Sequence, residues 1–237
     1  MSRSWPISKA TEEDAEGIAS LFVESWVTPF SRLQLGDVDP TTMIAAMAPR
    51  IARQVTKPDM KLFVVRDPAT KQVVAVAQWM SPVTDPADTE TQEEQEERQA
   101  LEDELYVKSL PERNNKDLIM EFIVGMRLVR QRLLQGENHY LLNNLATHPG
   151  YRCQGLASRL IEQMLPRADA EGVIVCLETA SDNPAAKMYR RLGFEEYDEF
   201  TIKDLSKFAS KQELDRCGGI SQHAHVAFYR RPKGNLA

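Results

Sequence analysis

The segment Leu145-Ala146-Thr147-His148-Pro149-Gly150-Tyr151-Arg152-Cys153-Gln154-Gly155-Leu156-Ala157-Ser158 constrains this chain more than any other. It follows an apolar strand pattern, His139 to Thr147, and leads into a helical stripe of Leu156, Leu160, Ile161, Met164 and Leu165. Pro166 is placed to kink or end that helix. A turn from a strand into a helix leaves the first main-chain N–H groups without internal acceptors, and the helix dipole adds partial positive charge at the same spot. Gly155 and Ala157 are small enough to let a ligand approach the backbone. Two readings follow, an anion site suited to a pyrophosphate and an ordinary strand-to-helix turn. Neither a Walker lysine motif nor G-x-G-x-x-G is present.

The flanking patterns set the fold class. Trp5 to Lys9 reads as a short strand, and Thr11 with Asp14 forms a near capping box for a helix with Ile18, Leu21, Phe22 and Ser25 on one face. A second helix starts after Asp39-Pro40, with Met43, Ile44, Met47 and Ile51 as its stripe and Pro49 expected to kink it. Lys61 to Arg66 and Val73 to Met80 form a hairpin across Asp67-Pro68-Ala69-Thr70. Val173 to Thr179 is a buried strand, Pro184 to Leu192 a short helix closed by Gly193, and Phe194 to Thr201 and His223 to Tyr229 the last strands. Strands alternating with helices after a hairpin predict an α/β fold with a mixed sheet.

Residues 82–136 read as a helical insertion. Its first half is acidic, from Asp88 and Glu90 through Glu93, Glu94, Glu96, Glu97, Glu102, Asp103 and Glu104, and is expected to stay exposed, either as a lid that favours cationic substrates or as a solvated spacer. Its second half carries a stripe of Ile119, Phe122, Ile123, Met126 and Val129 that should dock on the body of the protein.

Composition excludes several classes. A net charge of -6 argues against a general nucleic-acid binder, which needs clustered Lys and Arg. Cys153, Cys176 and Cys217 are odd in number and lack C-x-x-C spacing, which argues against a disulfide framework and a zinc site. His223 and His225 share a strand face, but no third metal ligand is evident. The N-terminal stretch has no apolar signal core and no run is long enough to span a bilayer, so the expected setting is a reducing, cytoplasmic one without membrane attachment.

Arg152-Cys153-Gln154-Gly155-Leu156-Ala157 resembles the acetyl-CoA signature of the GNAT N-acetyltransferase superfamily: Gln or Arg, two residues, Gly, one residue, then Gly or Ala. Ala185, Met188, Tyr189, Leu192, Gly193 and Phe194 resemble the family's second motif, A-x-x-L-Y-x-x-x-G-F. The resemblance covers roughly residues 3–81 and 138–231 in element order. It implies a largely antiparallel mixed sheet, splayed at the cofactor strand and flanked by helices, within one acetyltransferase domain over residues 1–237. It implies that Leu145, Ala146 and Thr147 pair their backbone with the pantetheine arm of acetyl-CoA, and that Arg152, Cys153, Gln154, Gly155, Leu156, Ala157 and Ser158 hold the pyrophosphate. Cys153 stands where many members carry Gly. Where the family often has Asn ahead of the Tyr, this chain has Asp182, with Asn183 one residue later, so either is the candidate for the pantetheine contact.

By the same resemblance the activity is acetyl transfer from acetyl-CoA to a primary amine by direct attack on the thioester. Tyr189 is the candidate acid at the sulfur and a cofactor contact. The base stays open among Glu178, Glu121, His139, His148 and water, with Glu178 and Glu121 read first as structural and solvated carboxylates. A small-molecule amine is the favoured partner, and a homodimer is left open. The competing reading is a non-catalytic acyl-CoA-binding or sensing module of the same fold.

Overall fold

The computed structural model describes residues 5–82 and 91–234. The apolar runs become seven strands: β1 (Ile7–Lys9), β2 (Met60–Arg66), β3 (Val73–Met80), β4 (His139–Thr147), β5 (Ile174–Ala180), β6 (Glu195–Ile202) and β7 (His223–Arg230). They form one sheet in the order β1-β2-β3-β4-β5-β7-β6. Only β4 and β5 pair in parallel; every other neighbouring pair is antiparallel. The helices are α1 (Ala15–Ser25), α2 (Pro29–Leu35), α3 (Pro40–Thr56), α4 (Gln92–Ser109), α5 (Lys116–Leu134), α6 (Leu156–Glu162), α7 (Leu165–Glu171), α8 (Ala186–Arg191) and α9 (Lys211–Arg216). This is the mixed α/β architecture the sequence implies. No helix among the described residues is long and apolar enough to cross a membrane.

Helices cover both faces of the sheet, which is why β3 is buried almost along its whole length. On one face, α6, α7 and α8 pack Leu160, Ala168 and Tyr189 against Trp79, Leu142, Leu177 and Phe228. On the other, Ile18 and Phe22 of α1 and Met43, Met47 and Ile51 of α3 cover Val64, Val76 and Ala146. Farther along that second face, α5 places Met126 and Val129 on Ala227 of β7. The stripe of α5 docks as expected.

Local chemistry sets the helix ends. Thr11 donates its main-chain N–H to Asp14 at 2.7 Å and shapes a short 3-10 turn ahead of α1. Asp39 accepts from Thr42 N at 2.9 Å, with Pro40 in the first turn of α3. Pro49 does not end α3, which continues to Thr56. The break expected at Pro166 falls just before it: α6 stops at Glu162, and the proline enters the first turn of α7, where its missing N–H costs nothing. Two short helices lie outside the sequence expectations, α2 and α9. Their signals are present in Thr28-Pro29, where Thr28 Oγ1 accepts from Ser31 N at 3.1 Å, and in the Ser210–Glu213 capping box.

Residues 82–136 contain the two expected helices. Asp88 and Glu90 lie outside the described residues. On α4, Glu93, Glu94, Glu96, Glu97, Glu102 and Glu104 are exposed, while Asp103 accepts two hydrogen bonds from Arg127 of α5, at 2.7 and 2.9 Å. That bidentate pair ties the acidic helix to the docked one.

Arg230 closes the end of β7. It is 3% exposed, and its guanidinium donates to both carboxylate oxygens of Asp169 on α7, at 2.7 and 2.9 Å. These hydrogen bonds hold the Asp169 carboxyl below the usual carboxylate range. Asp169→Asn leaves a buried cation uncompensated. A cost of ~2–3 kcal/mol is expected in urea unfolding, at the low end for a broken buried pair because Asp169 keeps some exposure. Its folded pKa is depressed, so the contribution is present above the ordinary carboxylate pKa and is lost as pH falls through the folded value. The difference between parent and variant should therefore shrink in acid.

Candidate active site

The site begins where two parallel strands stop pairing. β4 and β5 are in register from His139↔Ile174 to Leu142↔Leu177 and no farther, although β4 runs on to Thr147 and β5 to Ala180. β4 stays with β3, ending at Thr147↔Ala75, and β5 stays with β7, ending at Ala180↔His225. The register of β3 and β4 slips at this point: Trp79 faces Leu142 while Gln78 faces Asn144, leaving Asn143 as the extra residue of a β-bulge. A bulge bends its strand and raises its twist. It also resets the alternation, so that Leu142 and Leu145 both join the core under α6 and α8. Past the bulge, the main-chain groups of β4 that face the fork have no strand to pair with. Thr147 Oγ1 is likewise buried without a partner.

The turn that follows is an open cradle of N–H groups. His148 shapes it, accepting from Gly150 N at 3.1 Å through Nδ1 and lying 3.3 Å from the Glu24 carboxylate through Nε2. Cys153 has φ +61° and Gly155 φ +74°, both left-handed. The N–H groups of Cys153 to Ser158 have no protein acceptor among the described residues; that of Arg159 is the first to find one, Gly155 O at 3.1 Å. Arg152 donates through Nε to Thr147 O at 3.3 Å, folding its cation back over the turn. Leu156 is buried in the core and contributes only its backbone, while Gln154 and Gly155 are exposed and Ser158 is half-buried.

A cavity of about 990 Å³ runs through the fork and is lined from both faces of the sheet. Leu145, Ala146, Thr147, Arg152, Cys153 and Ala157 border it on the cradle side, with Asp182, Asn183 and Tyr189 near them. Asn183 is committed to the turn ahead of α8: its amide donates to Thr179 Oγ1 at 2.7 Å and accepts from Ala185 N at 3.0 Å. Asp182 is exposed, so of the two residues it is Asn183 whose side chain shapes this turn. Tyr189 is 5% exposed and packs edge-on to Phe194 and tilted to Phe228. Burial pushes its phenol up to about 12, so it keeps its proton through the neutral range.

The opposite wall carries the other titratable groups. Glu178 and Ala180 of β5, and Ala227 and His225 opposite them on β7, share one face with His223. Arg130 of α5 donates through Nε to Glu178 Oε1 at 2.8 Å; burial raises the carboxyl's pKa and the guanidinium partly offsets the rise. His223 Nε2 lies 2.7 Å from His225 Nδ1, with the Phe30 ring stacked on His223 at 3.6 Å between centroids. Burial pushes the two imidazoles down to about 4 and about 3, so both are neutral at pH 7. Among the described residues no group of His, Cys, Asp or Glu is arranged to hold a metal ion. Glu121 is exposed on α5, and His139 starts β4 away from the cavity, with Nδ1 at Glu137 O.

Sequence reasoning missed the far end of the cavity. Phe30, Ser31 and Gln34 of α2, Arg50 of α3, Tyr106 of α4 and Phe122 of α5 all line it. None of the described α4 carboxylates does; Tyr106 and Ser109 are the α4 residues that reach it. The described glutamates of α4 form a solvated helix face.

The profile of the acetyltransferase (GNAT) family matches residues 73–194, just over half of the chain. A search of curated proteins gives no match. Among solved structures, an agmatine N-acetyltransferase mutant is 16% identical, with a TM-score of 0.63 over 97% of this chain and 100% of that one. The Drosophila melanogaster polyamine N-acetyltransferase, which forms N-acetylagmatine, is 15% identical, with a TM-score of 0.60 over 96% and 100%. A structure described as histone acetyltransferase HPA2 and related acetyltransferase from Corynebacterium glutamicum is 18% identical, with a TM-score of 0.56 over 99% and 100%. At these identities the likeness is one of fold.

The left-handed backbone at Cys153 gives a test of the cradle. A non-glycine residue there carries roughly 1 kcal/mol of backbone cost, and glycine would remove it at a similar cost in unfolded-chain entropy. Cys153→Gly should therefore unfold within ~0.5 kcal/mol of the parent, whereas the β-branched Cys153→Val should lose ~1–2 kcal/mol in denaturant titration.

Proposed function

This chain belongs to the GNAT acetyltransferase family, whose acetyl donor is acetyl-CoA, and on that premise we propose that it acetylates the primary amine of a small molecule through the fork between β4 and β5. The observation that carries the reading is the meeting of three features at one cavity: the unpaired edge of β4, the row of free N–H groups from Cys153 to Ser158, which reaches the cavity at Cys153 and Ala157, and the protonated phenol of Tyr189. These features fit acetyl-CoA. A pyrophosphate needs several N–H donors at one helix start, and a pantetheine arm, with its amides, can satisfy an open strand edge as an added strand would. The unpartnered Thr147 Oγ1 adds a hydrogen-bonding group at that edge.

When bound, acetyl-CoA supplies an activated acetyl thioester. The amine must arrive without its proton, although a free alkylamine with a pKa near ~10.4 is mostly protonated at pH 7. The wall of Glu178, His223 and His225 faces the side on which the amine would enter, and Glu178 or water accepts that proton there. Tyr189 stands across the sheet and donates to the departing thiolate, a role its raised pKa supports by keeping the phenol protonated. In this reading the whole chain is one acetyltransferase domain, and the helical insertion at residues 82–136 shapes its amine side.

Calorimetry should detect acetyl-CoA binding and a raised melting temperature. Gly155→Glu should abolish both. A side-chain atom at Gly155 meets nothing within 4 Å, so the loss would come from backbone strain and the negative charge rather than from collision with the protein. No binding at millimolar acetyl-CoA would sink the proposal. Tyr189→Phe should lower kcat ~10²-fold with KM for acetyl-CoA little changed. Unchanged turnover with chemistry rate-limiting would demote Tyr189 to a packing residue.

A further inference from the structure

We infer that the acceptor is an amine on an apolar, ring-sized body whose far end carries a carboxylate, and that Arg50 recognises that carboxylate. The inference rests on the acetyltransferase reading and specifies its substrate. Arg50 lines the cavity on the face away from the cofactor cradle. It is half-buried, its guanidinium lies 5.1 Å above the Tyr106 ring, and no carboxylate pairs with it among the described residues. A partly desolvated cation with only an aromatic face for company is under-compensated, and a guanidinium fork suits a carboxylate bidentately.

The rest of that end is uncharged, its large side chains are apolar, and its polar groups are the neutral ones of Ser25, Thr28, Ser31, Gln34, Ser109 and Asn114. Trp26, Phe30, Met47 and Phe122 form its walls, and the bonded imidazoles of His223 and His225 extend the aromatic surface. Anionic groups are scarce, although Ser25 Oγ and Asn114 Oδ1 are buried acceptors without a partner among the described residues. Of the two carboxylates that border the cavity, Glu178 is held by Arg130, and Asp182, exposed ahead of α8, lies near enough to His223 to offset part of the fall that burial causes in that imidazole's pKa. A second ammonium at the far end would meet Arg50 instead of an anion. The site therefore differs in charge pattern from what a di- or polycationic amine requires. An apolar body fills the walls, and an anionic end completes Arg50.

The test compares three acceptors with one body: benzylamine, para-aminomethylbenzoate and para-xylylenediamine, whose far ends are neutral, anionic and cationic. At low ionic strength kcat/KM should fall in the order anionic, neutral, cationic, with ~10-fold between the first two, carried by KM. Arg50→Gln should bring the anionic-to-neutral ratio close to one, and Arg50→Lys should restore part of it, since a point charge replaces the fork. Arg53→Gln, one turn along on the exposed side of α3, should keep the parental ratio. A cationic preference, or an anionic preference that survives Arg50→Gln, overturns the inference while leaving acetyl transfer standing. Loss of acetyl-CoA affinity in Arg50→Gln also overturns it, because Arg50 would then serve the cofactor. Acetylation of none of the three by protein that binds acetyl-CoA rejects this acceptor class. Failure to bind acetyl-CoA rejects the parent reading and this inference together.

Discussion

One unpaired stretch of main chain organises this molecule. β4 and β5 share four registered positions and then part, and the bulge at Asn143 is where β4 turns away. Parallel strands normally continue until a loop takes one of them off, because an open ladder group inside a protein is costly. Here the cost is accepted over Asn143 to Thr147, and the cavity, the cradle and the phenol all lie along the gap. Were the two strands to close, the passage between the sheet faces would disappear.

The two sides of the gap are built for different work. On the cradle side, the backbone supplies the free donors: Cys153 and Gly155 are left-handed, and the N–H groups from Cys153 to Ser158 have no protein acceptor among the described residues. On the other side, side chains decide. Glu178 is held by Arg130, the two imidazoles are neutral, and Arg50 has no carboxylate paired with it among the described residues. In the proposed reading, this division lets the backbone recognise a ligand common to the family while the helices above the sheet set the choice of acceptor.

The cradle side was legible in the chain because its determinants are contiguous. The turn from Leu145 to Ser158, its flanking strand and the helix with Tyr189 are each read within a dozen or so neighbouring residues; parts of each line one cavity, while Gln154, Gly155, Leu156 and Ser158 do not. The role of Asn183 was less legible, since both it and Asp182 are good capping residues; only the hydrogen bonds to Thr179 and Ala185 separate them. The acceptor side was largely hidden. Phe30, Arg50, Tyr106, Phe122 and the histidine pair come from five elements far apart in the chain, and no local pattern says that they meet. The acidic run shows the same limit: charge density is visible in sequence, but the direction in which a helix face points is not.

By itself, then, the sequence determined the order of strands and helices, the mixed sheet and the strand-to-helix turn after β4, because periodicity, capping residues and glycine positions act over short stretches of chain. Only the tertiary structure decided where β4 leaves β5, which carboxylate is neutralised by Arg130, and that Arg50 reaches the cavity without an anion beside it. Those outcomes depend on the packing of α2, α3, α4 and α5 over one face of the sheet, and contacts between residues so distant in sequence are settled by the shape and burial of the whole core rather than by any local propensity.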